Sequence, residues 1–181
     1  MSQIYEKTRR DVIFPNPHAA VTDCSFRTPS GRTIKRWIVV ERKQAVVIAG
    51  RTPEGKWLFI LEERPVVGKT MTALPAGQLD PDEPAEVTAS REFLEETGHA
   101  VSRILPLGPF NTSPGFTDEQ TFLFYAPDIT KITDKLGEME EGIMGLVFMS
   151  TEEVWAGIAS GLLEDANTLA MFARLHASGL A

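Results

Sequence analysis

Residues 77–98 read GQLDPDEPAEVTASREFLEETG, an acidic loop that runs into an amphipathic helix. The helix is expected from Pro84 to Thr97. Pro84 stands near its start, where a missing N–H costs nothing, and Gly98 just past its end, where left-handed backbone suits glycine. Ala85, Ala89 and Phe93 recur at four-residue spacing as one apolar stripe. At about 100° per residue, Glu92, Glu95 and Glu96 project along one face within reach of a shared centre. Three carboxylates so close repel one another. A solvated acidic face is the plain alternative, but an apolar stripe backs the helix, Arg91 lies beside the acids, and a Gly-containing loop, Leu74-Pro75-Ala76-Gly77, brings backbone carbonyls near them. Hard divalent cations such as Mg²⁺ take oxygen ligands of this kind and cancel the repulsion.

Strand patterns flank this stretch. Thr22–Phe26 and Thr33–Glu41, joined through Pro29-Ser30-Gly31, read as one hairpin; Ala45–Ala49 and Trp57–Leu61, joined through Pro53 and Gly55, read as a second. Further strands are expected at Ile104–Phe110, Thr121–Tyr125 and Ile143–Met149. Ser150 with Glu153 has the spacing of a capping box that opens a helix, and Asp165 is placed to cap a last helix over Asn167–His176. Strands with a few helices between and after them imply a mixed α/β sandwich. Residues 1–43 are set apart as an N-terminal strand-rich extension, and residues 44–181 form the main domain.

The chain has 181 residues, 43% hydrophobic and 24% charged, the composition of an ordinary globular domain. Its formal charge of -7 disfavours nucleic acid and anionic membranes as partners. That charge is unevenly placed. Residues 1–50 hold nine Lys/Arg against four Asp/Glu, whereas Asp80, Asp82, Glu83, Glu86, Glu92, Glu95 and Glu96 face only Arg91 between residues 80 and 98. The single cysteine, Cys24, excludes an internal disulfide and reads as a small buried hydrophobe. The N-terminal stretch has no signal-peptide pattern and no stretch approaches a membrane span, so a cytoplasmic location is expected.

Gly77, Glu83, Arg91-Glu92, Glu95-Glu96 and Gly98 together match the Nudix box, GX5EX7REUXEEXGU, and all seven fixed residues fall at the required spacing. The sequence therefore resembles the Nudix hydrolase family. His99 takes the final aliphatic position; it is read as a packing change, with a ligand role as the alternative. The resemblance implies a Nudix-type αβα sandwich around a mixed sheet. It implies Glu92, Glu95, Glu96 and the Ala76 carbonyl as ligands of Mg²⁺, with Mn²⁺ as a substitute. It also implies a Glu83–Arg91 salt bridge that ties loop to helix. Glu92 and Glu96 thereby become catalytic as well as metal-binding residues.

Beyond the box, Ser113-Pro114-Gly115-Phe116-Thr117-Asp118-Glu119 lies where the ADP-ribose pyrophosphatase branch carries a substrate loop, with Pro114 sixteen residues past Gly98. Ser113, Gly115 and Glu119 are the substrate contacts this implies. Arg64, in Leu61-Glu62-Glu63-Arg64-Pro65, is similar to the branch residue that grips the diphosphate. The basic extension resembles the swapped strands through which such proteins form homodimers and complete the nucleotide site. Trp37 and Arg42 lie there, an aromatic face and a cation suited to adenine and phosphate; hairpin or dimer packing is the other reading of Trp37. Trp57 and Trp155 read as core. The general base is expected among Glu138, Glu140 and Glu141, and counting back from Ser150 favours Glu140.

The expected activity is Mg²⁺-dependent hydrolysis of ADP-ribose or a related nucleoside diphosphate sugar to a nucleoside monophosphate and a sugar phosphate. GDP-mannose or ADP-glucose as substrate is the alternative within the same chemistry. A non-catalytic nucleotide-sensing module is the alternative outside it, and the intact box argues against that reading.

Overall fold

The structure, a computed structural model, describes residues 5–133 and 142–181. The chain forms two compact units, one of residues 1–44 with 111–120 and one of residues 45–110 with 121–181.

In the first unit, β1 (Glu6–Phe14), β2 (Ala19–Arg27) and β3 (Thr33–Arg42) form an antiparallel three-stranded sheet in that order. The turn between β2 and β3 is the expected one: Gly31 adopts φ 85°, its N–H donates to the Thr28 carbonyl at 2.9 Å, and the Thr28 N–H donates to Arg32 at 2.8 Å. Only glycine enters that backbone region without strain. Thr22 and Cys24 on the central strand are fully buried, as the reading of Cys24 required. Every residue of β1 is exposed. Side-chain ion pairs tie β1 to the far strand, with Arg10 2.6 Å and Lys7 3.1 Å from the Glu41 carboxylate. The segment 111–120 joins this sheet through the Val40 N–H, which donates to the Phe116 carbonyl at 2.7 Å.

The second unit begins with β4 (Ala45–Arg51) and β5 (Trp57–Arg64), followed by β6 (Lys69–Ala73), β7 (Ala76–Gln78) and α1 (Ala85–Thr97). Then come β8 (His99–Val101), β9 (Leu105–Asn111), β10 (Gln120–Ala126), β11 (Ile129–Lys131), β12 (Ile143–Met149), α2 (Thr151–Ser160) and α3 (Ala166–Ala177). The main sheet runs β12-β5-β4-β10-β9, with β6 added along β5 and β7 along β4. It is mixed: β10 lies parallel to β4, while β12, β6 and β7 pair antiparallel with their neighbours. A small β11-β8 sheet stands apart.

The alternation of side chains along the strands sorts the core into two layers. Val46, Ile48, Leu58, Phe124 and Ala126 pack with Ala89 and Phe93 of α1. Val47, Ala49, Trp57, Phe59, Leu123 and Tyr125 pack on the other face with Val154 of α2 and Met171, Phe172 and Leu175 of α3. Helices therefore cover both faces, and the αβα sandwich follows directly. Strands buried on both faces lose the apolar/polar alternation of an exposed sheet, which is why Ala45–Ala49 reads as a continuous apolar run. Trp57 is fully buried, with its indole N–H donating to Thr151 Oγ1 at 2.9 Å. Trp155 packs against Phe172 from the core margin. Ser150 and Glu153 form the expected capping box, and Asp165 caps α3 by accepting from the Thr168 N–H.

One irregularity in this sheet matters for function. β4 and β5 pair only beside their hairpin, at Gly50↔Leu58 and Arg51↔Trp57. They then splay apart, β6 following β5 and β7 following β4, where Val46 pairs with Gly77 and Val47 with Ala76. The Ile48 N–H donates to the Pro75 carbonyl at 3.0 Å and pins the link between them. The backbone of Ala76 and Gly77 is thus held against α1. Among the described residues no helix is long and apolar enough to cross a membrane.

Candidate active site

Helix α1 begins after Pro84 and ends at Gly98, whose φ of 69° lets its N–H donate back to the Leu94 carbonyl. Its apolar side, Ala89 and Phe93, is fully buried and fixes its rotation. Glu92, Glu95 and Glu96 are thereby directed away from the layer that Phe93 fills. They differ in burial: the Glu95 side chain is half exposed, that of Glu92 is largely covered, and Glu96 is buried.

Arg91 organises this face. Its Nη1 lies 3.1 Å from Glu92 Oε1 and 3.1 Å from Glu95 Oε2, and its Nη2 lies 3.1 Å from Glu83 Oε2. Asp80 is farther off, at 3.6 Å. The loop-to-helix bridge between Glu83 and Arg91 is therefore present. Thr88, fully buried one turn into the helix, donates its hydroxyl to the same Glu83 oxygen at 2.7 Å. These bonds, that from Thr88 above all and then that from Arg91, hold the Glu83 carboxyl below the usual carboxylate range. Bonding to Glu83 likewise raises the already high proton affinity of Arg91.

Glu96 accepts a hydrogen bond from the Ala76 N–H at 3.1 Å. Gly77 packs against Glu92 so closely that a Cβ built there would fall 2.0 Å from Glu92 Cδ. Glycine here thus leaves Glu92 its place, a signal the spacing of the box carries and a propensity scale does not. Among the described residues no three His, Cys, Asp or Glu side chains stand gathered at cation-binding spacing. The reason is visible in the bonds above: Glu92 and Glu95 are turned to Arg91, and Glu96 to the Ala76 N–H. Hard carboxylate oxygens on one helix face, one of them buried, beside a glycine that leaves room for another, still form a donor set that fits a hard divalent cation. His99 is buried, its Nδ1 2.8 Å from the Thr97 carbonyl and its ring 6.1 Å from that of Phe148, so its role is packing.

Arg64 ends β5, with Nη2 2.7 Å from Glu62 Oε2 and almost half of its side chain exposed. Glu138, Glu140 and Glu141, the candidates for the base, lie outside the described residues.

A second group of expected residues meets within the first unit. The exposed Trp37 indole donates its N–H to the Gly115 carbonyl at 2.9 Å. Ser113 shapes the turn, its carbonyl accepting from the N–H groups of Phe116 and Thr117. The Arg42 N–H donates to Asp118 Oδ1 at 3.1 Å, and its guanidinium lies 3.3 Å from Glu119 Oε1. Glu119 is buried and also accepts from Thr112 Oγ1 at 3.0 Å. A cavity of about 420 Å³ opens here, lined by Trp37, Phe26, Ile34, Val39, Pro114 and Phe116 among others. Sequence reading missed Thr88, Thr112 and Asp118, whose partners are set by tertiary placement. Thr88 alone left a trace, five residues past Glu83 and so on its side of the first turn.

A NUDIX domain model matches residues 32–171. The chain is 30% identical to "ADP-ribose pyrophosphatase" of Bacillus subtilis over 93% of its own length and 91% of that protein. It is 33% identical to "Methanol dehydrogenase activator" of Bacillus methanolicus over 91% of its length and 89% of that protein. A crystal structure of an "ADP compounds hydrolase" superposes with a TM-score of 0.78 at 14% identity, covering 98% of this chain and 97% of that one. With all seven fixed residues of the box in place from β7 through α1, the chain belongs to the NUDIX domain family of hydrolases, in the branch that its ADP-ribose pyrophosphatase relatives represent.

Proposed function

We propose that this protein hydrolyses the pyrophosphate linkage of ADP-ribose, or of a closely related nucleoside diphosphate sugar, to a nucleoside monophosphate and a sugar phosphate. The observation that carries the reading is the face of α1 that bears Glu92, Glu95 and Glu96, with Glu96 accepting from the Ala76 N–H and Glu92 packed on Gly77. In this reading those three carboxylates and the Ala76 carbonyl hold Mg²⁺, with Mn²⁺ as a substitute. Such a cation, when bound, would screen the diphosphate charge and make a neighbouring water more acidic. Glu92 and Glu96 thereby serve catalysis directly.

The other assignments follow the chemistry of each side chain. Arg64 offers a planar cation to a diphosphate oxygen and exchanges its Glu62 partner for the substrate. Trp37 presents an aromatic face to the base. Arg42 supplies positive charge, and Ser113, Gly115 and Glu119, on the loop beside it, are the further substrate contacts. With its indole N–H given to Gly115, Trp37 contributes stacking and no hydrogen bond to a base. Glu140 takes the proton from the attacking water as general base. The relatives named ADP-ribose pyrophosphatase support the substrate class. We further propose a homodimer formed through the N-terminal extension, whose strand β1 is exposed, and a cytoplasmic location.

The test is a set of carboxamide variants assayed on ADP-ribose with saturating Mg²⁺. Glu92→Gln and Glu96→Gln should lose turnover, and Glu140→Gln should lower kcat by about 10²–10⁴. Full turnover in Glu92→Gln or Glu96→Gln would overturn the metal assignment. The same loss in Glu138→Gln or Glu141→Gln, with Glu140→Gln active, would move the base.

A further inference from the structure

Arg91 bridges two kinds of carboxylate. On one side is Glu83, held from behind by the buried Thr88 hydroxyl at 2.7 Å. On the other are Glu92 and Glu95, each 3.1 Å from Nη1. Glu83 belongs to the loop before α1 and has a second donor to keep it in place. Glu92 and Glu95 are the acids assigned above to a cation, and the inference rests on that assignment.

We infer that the Arg91 guanidinium is the resident counter-charge of Glu92 and Glu95 in the cation-free protein, and that Thr88, acting through Glu83, is the positioning residue that sets its reach. The Thr88 hydroxyl spends its proton on Glu83 and leaves that carboxylate to accept Nη2. With Nη2 anchored, Nη1 spans Glu92 and Glu95. A divalent cation arriving at those two acids replaces the Nη1 contacts, while the Nη2–Glu83 contact remains. Arg91 therefore stabilises the empty site and opposes the filled one. Lysine could not do the same, because one ammonium lacks the planar fork that divides between Glu83 and the pair.

The experiment measures Mn²⁺ binding by electron paramagnetic resonance, Mg²⁺ binding by displacement of that Mn²⁺, and thermal melting in EDTA, none of which requires turnover. Arg91→Gln should melt lower in EDTA, since Glu83, Glu92 and Glu95 then lose the guanidinium they share. It should also bind the cation roughly 3–10-fold more tightly, the order expected from removing one nearby positive charge. Thr88→Val keeps the shape and loses the donor. It frees Arg91 to lean fully on Glu92 and Glu95, and should weaken the cation by a few fold; Thr88→Ser, which restores a hydroxyl, should recover the wild-type affinity. Arg91→Lys, with charge but no fork, provides the reading if Arg91→Gln does not fold: it too should melt lower in EDTA.

Weaker cation binding in Arg91→Gln would overturn the inference, as would Thr88→Val and Thr88→Ser behaving alike. Absence of Mn²⁺ binding to the wild-type protein would instead refute the metal assignment itself, so the two failures are told apart.

Discussion

Replacing Gly77 with alanine separates function from stability in this fold. The new Cβ would fall 2.0 Å from Glu92 Cδ, 2.2 Å from Oε1 and 2.4 Å from Cγ. All three contacts are with one flexible side chain and none with backbone, and Gly77 does not occupy a left-handed conformation, so the backbone bears no strain. Glu92 must swing out. Overpacking in a rigid core costs about 1–3 kcal/mol, and displacing the far end of one flexible side chain belongs near the low end of that range. For a chain of this size about 1 kcal/mol lowers Tm by roughly 2–4 °C. Turnover should fall far more, by a factor on the order of 10² or greater, because Glu92 leaves the position from which it serves catalysis.

Gly50→Ala is the matched control. Its Cβ would fall 2.3 Å and 2.8 Å from ring atoms of Phe93 and 3.0 Å from Ile129 Cγ2, all in the buried layer under α1. That ring is fully buried and has nowhere to go, so destabilisation should reach or exceed the upper end of the same range, about 3 kcal/mol. Thermal melting and ADP-ribose hydrolysis, measured on both variants below their melting temperatures, check the pair. Gly77→Ala with full turnover, or with a loss of stability matching that of Gly50→Ala, would refute the reasoning.

Phe172→Ala, which removes a fully buried ring packed against Trp57 and Phe59, should destabilise by about 3–5 kcal/mol in denaturant titration. Ser150→Ala breaks the capping box of α2 and should lower stability by about 1 kcal/mol in the same assay. The carboxyl of Glu41 is held below the usual range, chiefly by its hydrogen bond from Arg10. Its contribution to stability is therefore complete above the ordinary carboxylate pKa and is lost as pH falls through the lowered folded value. Amide protection of Glu6–Phe14, taken relative to the intrinsic exchange rate at each pH, should accordingly fall under acid conditions in the wild type, and in Glu41→Gln should already be low at neutral pH.

The parts of this molecule legible in the sequence are those built from contacts close along the chain. Pro84, Gly98 and the Ala85, Ala89, Phe93 stripe fix α1; Ser150 with Glu153 and Asp165 with Thr168 fix the starts of α2 and α3. The Glu83–Arg91 bridge spans eight residues across one loop and two helical turns, and it was expected from the resemblance of this stretch to the Nudix box. β1 was not legible as a separate strand because all nine of its residues are exposed, leaving no buried periodicity to read. β7 has only three residues and exists because β4 and β5 diverge, a property of the whole sheet. The Arg42–Glu119 pair joins residues seventy-seven apart, and Thr112 and Asp118 enter the same cluster from the loop, so neither pattern nor propensity marks them. The turning of Glu92 and Glu95 toward Arg91 is likewise a matter of rotamers, which spacing does not encode.

Identifying products by mass decides whether this protein hydrolyses ADP-ribose with a divalent cation. ADP-ribose, sugar nucleotides including GDP-mannose and ADP-glucose, dinucleotides and nucleoside triphosphates would be incubated with the protein in Mg²⁺ and, in parallel, in EDTA. AMP and ribose 5-phosphate should form from ADP-ribose in Mg²⁺, in preference to the products of the other substrates, and neither should form in EDTA. A strong preference for triphosphates, or equal cleavage in EDTA, would contradict this expectation.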